Sequence, residues 1–194
     1  MKTTLAVVAA LVVVVGLWFM GIYNSLVNRQ EAVKSAWSQV ENVYQRRLDL
    51  VPNLVATVKG AAGFEKSTIT AVTEARSKVG SLTVDKAVLD DPARFKKFAA
   101  AQGELSGALS RLLAVAENYP QLKATENFRD LQVQLEGTEN RIAVERRAFN
   151  ETAMAYNAAI RRMPANIVAG FGGFQARPYF EAEPEARKAP QVGF

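Results

Sequence analysis

Apolar residues fall along this chain in three rhythms. From Leu5 to Ile22 they run almost unbroken and without a charge. From Val33 they recur in steps of three and four, at Val33, Trp37, Val40, Tyr44, Leu48, Val51, Val55 and Val58, which keeps them on one helical face. From Phe128 they settle into a period of seven, at Phe128, Leu135, Ile142, Phe149, Tyr156 and Met163, with Leu131, Thr138, Glu145, Thr152 and Ala159 as the partner seam. A strict seven-residue period predicts coiled-coil-like packing, and a seam this polar points to an antiparallel bundle within one chain.

The breaks between these rhythms set the element boundaries. Pro52 lies inside the second stripe, where it removes a backbone donor and crowds the preceding turn, so a kink or restart at 49–52 is expected, with Asp49 serving the freed N–H groups. Gly60 and Gly63 loosen a join before Phe64, and Ile69, Val72, Arg76 and Val79 predict a second helix broken at Gly80-Ser81. Asp91-Pro92 is a strong helix start, with Asp as N-cap and Pro at the first position. The helix that follows carries Phe95, Phe98, Leu105, Leu109, Leu112 and Ala116, and Gly103 and Gly107 offer a neighbour close approach. After Met163-Pro164 the chain turns Pro-, Gly- and aromatic-rich. Phe171, Phe174, Tyr179 and Phe180 predict a segment extended against the bundle or a partner, and the residues from Pro184 onward read as flexible.

The first run sets the class of protein. Its 18 residues span roughly 27 Å as a helix, close to the hydrocarbon thickness of a bilayer. Trp18 and Tyr23 sit towards one end, where amphipathic rings favour the interface. A cleaved signal peptide is the alternative. The run is longer than a typical signal core and ends without a small-x-small cleavage site, so an uncleaved anchor is the favoured reading. Lys2 on one side and Arg29 and Lys34 on the other leave orientation nearly balanced. A four-residue N-terminal tail leans towards a bundle outside the cytoplasmic membrane.

Composition narrows the chemistry. The 194 residues are 49% hydrophobic, with a net charge of +5 spread through interleaved acids and bases. There is no histidine and no cysteine, which removes the imidazole base, the thiol nucleophile, soft metal sites and disulfides. No basic stripe with interleaved aromatics argues for nucleic acid. The predicted class is all-α: residues 1–27 form a transmembrane anchor and exit, 28–164 an elongated antiparallel bundle of three to four long helices, and 165–194 an extended aromatic tail.

Several segments carry a family resemblance. They are Tyr23-Asn24-x-Leu26-Val27, Ala36-Trp37, Arg46-Arg47-x-Asp49-Leu50-x-Pro52-Asn53-Leu54-Val55 and Val58-Lys59-Gly60. Further on come Glu117-x-Tyr119-Pro120-x-Leu122-Lys123-Ala124, Glu139-Asn140-x-Ile142, Tyr156-Asn157, Gly172-x-Phe174 and Tyr179-Phe180-Glu181. Over nearly its full length the chain resembles the LemA family. Phe149 stands where that family more often has Tyr, which assigns this ring to packing. The resemblance implies a bacterial membrane protein with an N-terminal transmembrane helix and a helical domain. It implies no settled molecular activity; some relatives are tied to sensing or antigen presentation, and one branch to magnetosome membranes.

Two groups of polar side chains are candidate sites. Arg46, Arg47, Asp49, Asn53 and Lys59, with Glu139, Arg141, Glu145, Arg146 and Arg147, are candidates for an interhelical charge network; fixing helix register is the simpler reading and a ligand or partner site the sharper one. Trp37, Tyr156, Asn150 and Asn157 form a candidate aromatic and amide face, where hydrogen bonds from the asparagines to a neighbouring helix are expected. No spacing singles out a base and a nucleophile, so neither an enzyme nor a cofactor is expected. The leading expectation is a membrane-anchored scaffold or interaction protein of the cell envelope. It would touch the bilayer through residues 5–22 and bind an unidentified protein or further copies of itself. One alternative is a receptor-like module for a peptide, lipid or envelope ligand, with a pocket of Tyr156, Trp37 and the Arg46–Asp49 cluster. Membrane shaping by self-assembly is the other.

Overall fold

A computed structural model describes residues 1–60, 63–83 and 88–181, and six helices and no strand occur among them. The first, α1 (Lys2–Lys59), is one unbroken element of 58 residues, about 87 Å long at 1.5 Å per residue. It is followed by α2 (Lys66–Thr83), α3 (Pro92–Ala116), the single turn α4 (Pro120–Lys123), α5 (Glu126–Arg161) and α6 (Ala165–Gly172). The expectations for Pro184 onward fall outside the described residues.

The apolar stripes decide how these helices meet. Two buried clusters are stacked along the bundle. One gathers Leu26, Val33, Trp37, Val40 and Tyr44 with Phe95, Phe98, Ile142, Phe149 and Tyr156. The other gathers Leu48, Val51, Leu54 and Val58 with Val72, Val79, Leu105, Leu112, Phe128 and Leu135. Reading each helix from one cluster to the other gives an up-down-up-down order for α1, α2, α3 and α5, the arrangement short connections favour. Every position of the heptad series is buried except Met163, which lies beyond the end of α5 and is exposed.

Pro52 does not restart the helix. α1 passes straight through it. A proline at this position leaves the carbonyl of the residue four before it, Leu48, without its helical donor. Arg76 of α2 supplies the missing bond, its Nε donating to the Leu48 oxygen at 3.2 Å. Asp49 has a different role from the one expected and accepts from Gln45 Nε2 at 2.8 Å on the exposed surface. Two further expectations change. α2 continues through Gly80-Ser81 to Thr83, and Gly107 faces open space, with nothing within 4 Å of where a Cβ would lie. The start of α3 is as the sequence predicts: the Asp91 side chain accepts from the Ala93 and Arg94 amides, with Pro92 at the first position.

The uncharged run is the first part of α1. An 18-residue window of it has a mean hydropathy of 2.8, and none of that window is buried against the rest of the chain. No linker separates it from the bundle, since Ile22 already packs on the core and Leu26 is part of it. The C-terminal segment also departs from a purely extended form. Residues Ala165–Gly172 are helical, and Phe171 on this helix is exposed, because α6 buries Val168 and Ala169 instead. Gly173, at φ 69°, ends the helix in the left-handed conformation that glycine adopts without strain. At Gly172 a Cβ would come within 2.6 Å of the Phe174 ring and 3.2 Å of the Tyr23 ring. Glycine there lets Phe174 fold back edge-on against Tyr23 of α1, with ring centroids 5.4 Å apart.

The Pro52 arrangement yields a double-mutant prediction. Pro52→Ala gives Leu48 an ordinary helical donor. Arg76→Ala should therefore cost about 1 kcal/mol when Pro52 is present and much less in the Pro52→Ala background, measured by denaturant unfolding of the four variants in detergent.

Candidate functional site

The candidate charge cluster divides when α1 takes its place. On a helix, Arg47 shares the face of Tyr44, Leu48 and Val51, and it is only 1% exposed. Arg46, Asp49, Asn53 and Lys59 point outward and do not join it. Arg47 Nη1 donates to Glu139 Oε1 of α5 at 2.8 Å and to Ser106 Oγ of α3 at 2.6 Å. Its Nη2 donates to the Gln102 carbonyl at 3.3 Å and to the Gln102 side-chain oxygen. The guanidinium also lies 5.1 Å from the Tyr44 ring centroid. Arg47 Nε and Gln102 Nε2 are buried without a partner.

This polar layer sits where the two apolar clusters meet, after Tyr44 and Phe98 and between Leu135 and Ile142. A one-turn slip of α1, α3 or α5 would place a buried cation against hydrocarbon, an arrangement several kcal/mol less stable. The layer therefore selects register. Gln102 and Ser106 were not among the sequence candidates. Gln102 nonetheless interrupts the apolar stripe between Phe98 and Leu105, which is the signal that could have found it.

The second candidate group lies on the same side as the tail. Asn150 and Asn157 are seven apart on α5, about 10.5 Å along the axis. Arg177 and Phe180 are three apart in an extended segment, about 10 Å. The two spacings match, and each asparagine clamps one backbone unit. Asn150 Nδ2 donates to the Phe180 carbonyl at 2.8 Å and its Oδ1 accepts from the Phe180 amide at 2.9 Å. Asn157 treats Arg177 the same way, at 2.8 Å in both directions, and also donates to the Tyr179 hydroxyl at 2.8 Å. The partner of both asparagines is thus the tail backbone and not the neighbouring helix the sequence led us to expect.

Side chains complete the clamp. The Phe180 ring is buried among Phe95, Phe149, Trp37 and Tyr44, with centroids 4.8, 5.6, 6.0 and 6.5 Å away. Arg146 caps it from outside, 4.6 Å from the centroid. Phe180 thus fills the space beside Trp37, one of the rings that were candidates to line a pocket. Arg177, which sequence reasoning passed over, reaches across to the turn before α3, donating to the Leu89 carbonyl at 3.2 Å and pairing with Asp90. Arg141 pairs with Glu145 along α5, and Arg147 is exposed.

Tyr156 is fully buried, and its hydroxyl lacks a well-formed hydrogen bond. Burial pushes its pKa above the ordinary tyrosine value. The neighbouring Arg177, by its charge and a weak contact, pulls against that shift. The phenol stays neutral at physiological pH and serves packing. Among the described residues no group of three or more carboxylates is placed to hold a metal. The clefts are open: one of about 600 Å³ lies at the distal tip beside Lys59, Phe64 and Glu74, and one of about 340 Å³ lies between Arg29, Glu151 and Tyr156.

The two sites yield separate predictions. Replacing Asn157 or Asn150 with Ala removes a two-point clamp worth about 2 kcal/mol, so the Arg177 or Phe180 amide should exchange roughly 30-fold faster, read by hydrogen exchange. Arg47→Ala leaves Gln102 unpaired around a cavity and should cost roughly 3 kcal/mol. Glu139→Ala should cost less, about 1–2 kcal/mol, because that carboxylate is 37% exposed and water screens it. Denaturant unfolding gives the order, and the reverse order would refute the account of the layer.

Comparison with known proteins agrees with this architecture. Magnetosome protein MamQ of Magnetospirillum gryphiswaldense and magnetosome protein MamQ 1 of Paramagnetospirillum magneticum are each 30% identical to the chain over 179 residues. The match covers 84% of this chain and 65% of each of those proteins. Protein LemA of Metamycoplasma hominis is 26% identical over 151 residues, covering 78% of this chain and 65% of its own length. The chain therefore spans just under two thirds of the length of the curated relatives it matches. The LemA family profile itself matches residues 36–194, from the turn of α1 that carries Trp37 through the clamped segment and beyond, and the chain belongs to the LemA family.

Proposed function

We propose that the protein is a membrane-anchored scaffold of the bacterial envelope that presents its bundle to another protein or to further copies of itself. The observation that carries this reading is the continuity of α1. One helix is both the apolar span and the first helix of the bundle, so position and rotation in the membrane pass to the bundle through a rigid rod. The side chains with chemical potential are engaged in holding the fold: Arg47 and Glu139 in the polar layer, Asn150, Asn157 and Arg177 in the clamp. The LemA family is not a known enzyme family, and a role without catalysis fits this use of its polar groups.

The bundle also offers a surface for contact. Val133 and Val144 of α5 are exposed apolar residues eleven positions apart, which is about three turns and keeps them on one face. In this reading the apolar span lies in the inner membrane, with the bundle on the extracytoplasmic side. Membrane shaping by self-assembly is a second reading, favoured by the relatives that carry the name magnetosome protein. It predicts ordered arrays on liposomes.

The test is photo-crosslinking in cells from Val133, Val144 and Met154, together with impermeant maleimide labelling of a Val133→Cys variant. The scaffold reading expects a discrete adduct, to a partner or to a second copy, and labelling from outside the cytoplasmic membrane. Strictly monomeric protein with no adduct at any of the three positions would end it.

A further inference from the structure

The base of the bundle exposes an apolar face that the fold does not use. Met163, Ile167 and Phe171 are 76%, 52% and 83% exposed. They are spaced four apart, and Ile167 and Phe171 lie on α6 opposite the buried Val168 and Ala169. The chain from Met163 to Ala176 carries no charge, whereas Arg161 and Arg162 just before it are both exposed. An eight-residue helix with this distribution is poorly suited to water on its outer side.

Its height along α1 identifies what covers it. The C-terminal end of α6 lies against Tyr23, because a Cβ at Gly172 would fall 3.2 Å from that ring, and Phe174 meets Tyr23 edge-on. Tyr23 is the first residue past the uncharged Leu5–Ile22. That run spans about 27 Å against a hydrocarbon core of about 30 Å. When α1 crosses a bilayer, Tyr23 stands at the edge of the hydrocarbon, and Phe171, the neighbour of Gly172, is held at the same level. Arg29, six residues past Tyr23 on the same helix, then lies on the aqueous side, and the exposed Arg161 and Arg162 flank the uncharged stretch with charges that suit phosphate headgroups.

We propose that α6 is an interfacial helix whose Ile167–Phe171 face, with Met163 in the turn just before it, is seated in the phospholipid headgroup and acyl boundary of the leaflet from which α1 emerges. The inference rests on the reading of α1 as a membrane span. It goes beyond anchoring, since a rod held at one point is free to tilt and rotate, whereas a second contact beside it sets both angles. α6 leads directly into the clamped segment at Arg177–Phe180, so the membrane surface and the tail clamp are joined by a few residues.

The absence of native cysteine makes the test direct. Single variants Leu11→Cys, Ser110→Cys, Ile167→Cys and Phe171→Cys of the full chain are labelled with an environment-sensitive nitrobenzoxadiazole probe. They are then reconstituted in vesicles of phosphatidylcholine and phosphatidylglycerol, with and without brominated acyl chains. All four positions are exposed on the protein, and unchanged circular dichroism verifies the fold. The expected result is blue-shifted emission, quenched severalfold by brominated lipid, at positions 11, 167 and 171, with water-like unquenched emission at 110. Quenching at 11 with water-like emission at 167 and 171 would overturn the interfacial helix and leave the span standing. Blue-shifted but unquenched probes at 167 and 171 would also overturn it, by showing that protein and not lipid covers the face. No quenching at 11 would remove the span and the inference with it.

Discussion

The unbroken helicity of α1 is the constraint on which the rest depends. Fifty-eight residues in one rod leave no hinge between the apolar run and the bundle, so every other helix must find its position on a surface already fixed in direction. Pro52 threatens that rod at mid-length. The fold keeps it intact by answering the one carbonyl the proline leaves open, using an arginine from the next helix. The motif around Pro52 is therefore a junction of two helices, with Leu48 on one side and Arg76 on the other, and its outward charges at Arg46, Asp49 and Lys59 take no part in holding it.

Register follows from a second constraint, the burial of one cation. Apolar stripes alone tolerate sliding by a turn, since leucine, valine and phenylalanine pack acceptably against many partners. Arg47 does not tolerate it. Its guanidinium finds oxygen only where Gln102, Ser106 and Glu139 converge, and two stacked apolar clusters confine it to that level. Unpartnered nitrogens in the same layer indicate that it contributes more to specificity than to stability.

The tail is held by a matching of two lengths. Seven residues of helix and three of extended chain cover nearly the same distance, so two asparagines one heptad apart serve two peptide units three residues apart. Because the bonds go to the backbone, any residue with a backbone N–H, that is any but proline, could occupy the clamp; side-chain selection falls to Phe180, whose ring completes an aromatic cluster from α1, α3 and α5. Phe180 is in this way part of the core, and Arg177–Phe180 is bound to the bundle through it.

Much of this was legible in the residues alone. The charge-free run, the stripes of three, four and seven, and the Asp91-Pro92 start encode period, length and capping, which are local properties of the chain. The all-α class, the apolar first helix and the antiparallel order follow from them, whereas the expectation of a docked tail rested on the aromatic content after Pro164. Pairing across the bundle does not, because it depends on which turns of different helices share a level. That is why Arg47 separated from Arg46 and Asp49, why Gln102, Ser106 and Arg177 entered the sites unannounced, and why Asn150 and Asn157 bind the tail and not a helix. Phe171 shows the same limit: an aromatic residue announces that it needs a nonpolar neighbour, but only the fold decided that α6 would turn it outward, level with the end of the apolar run.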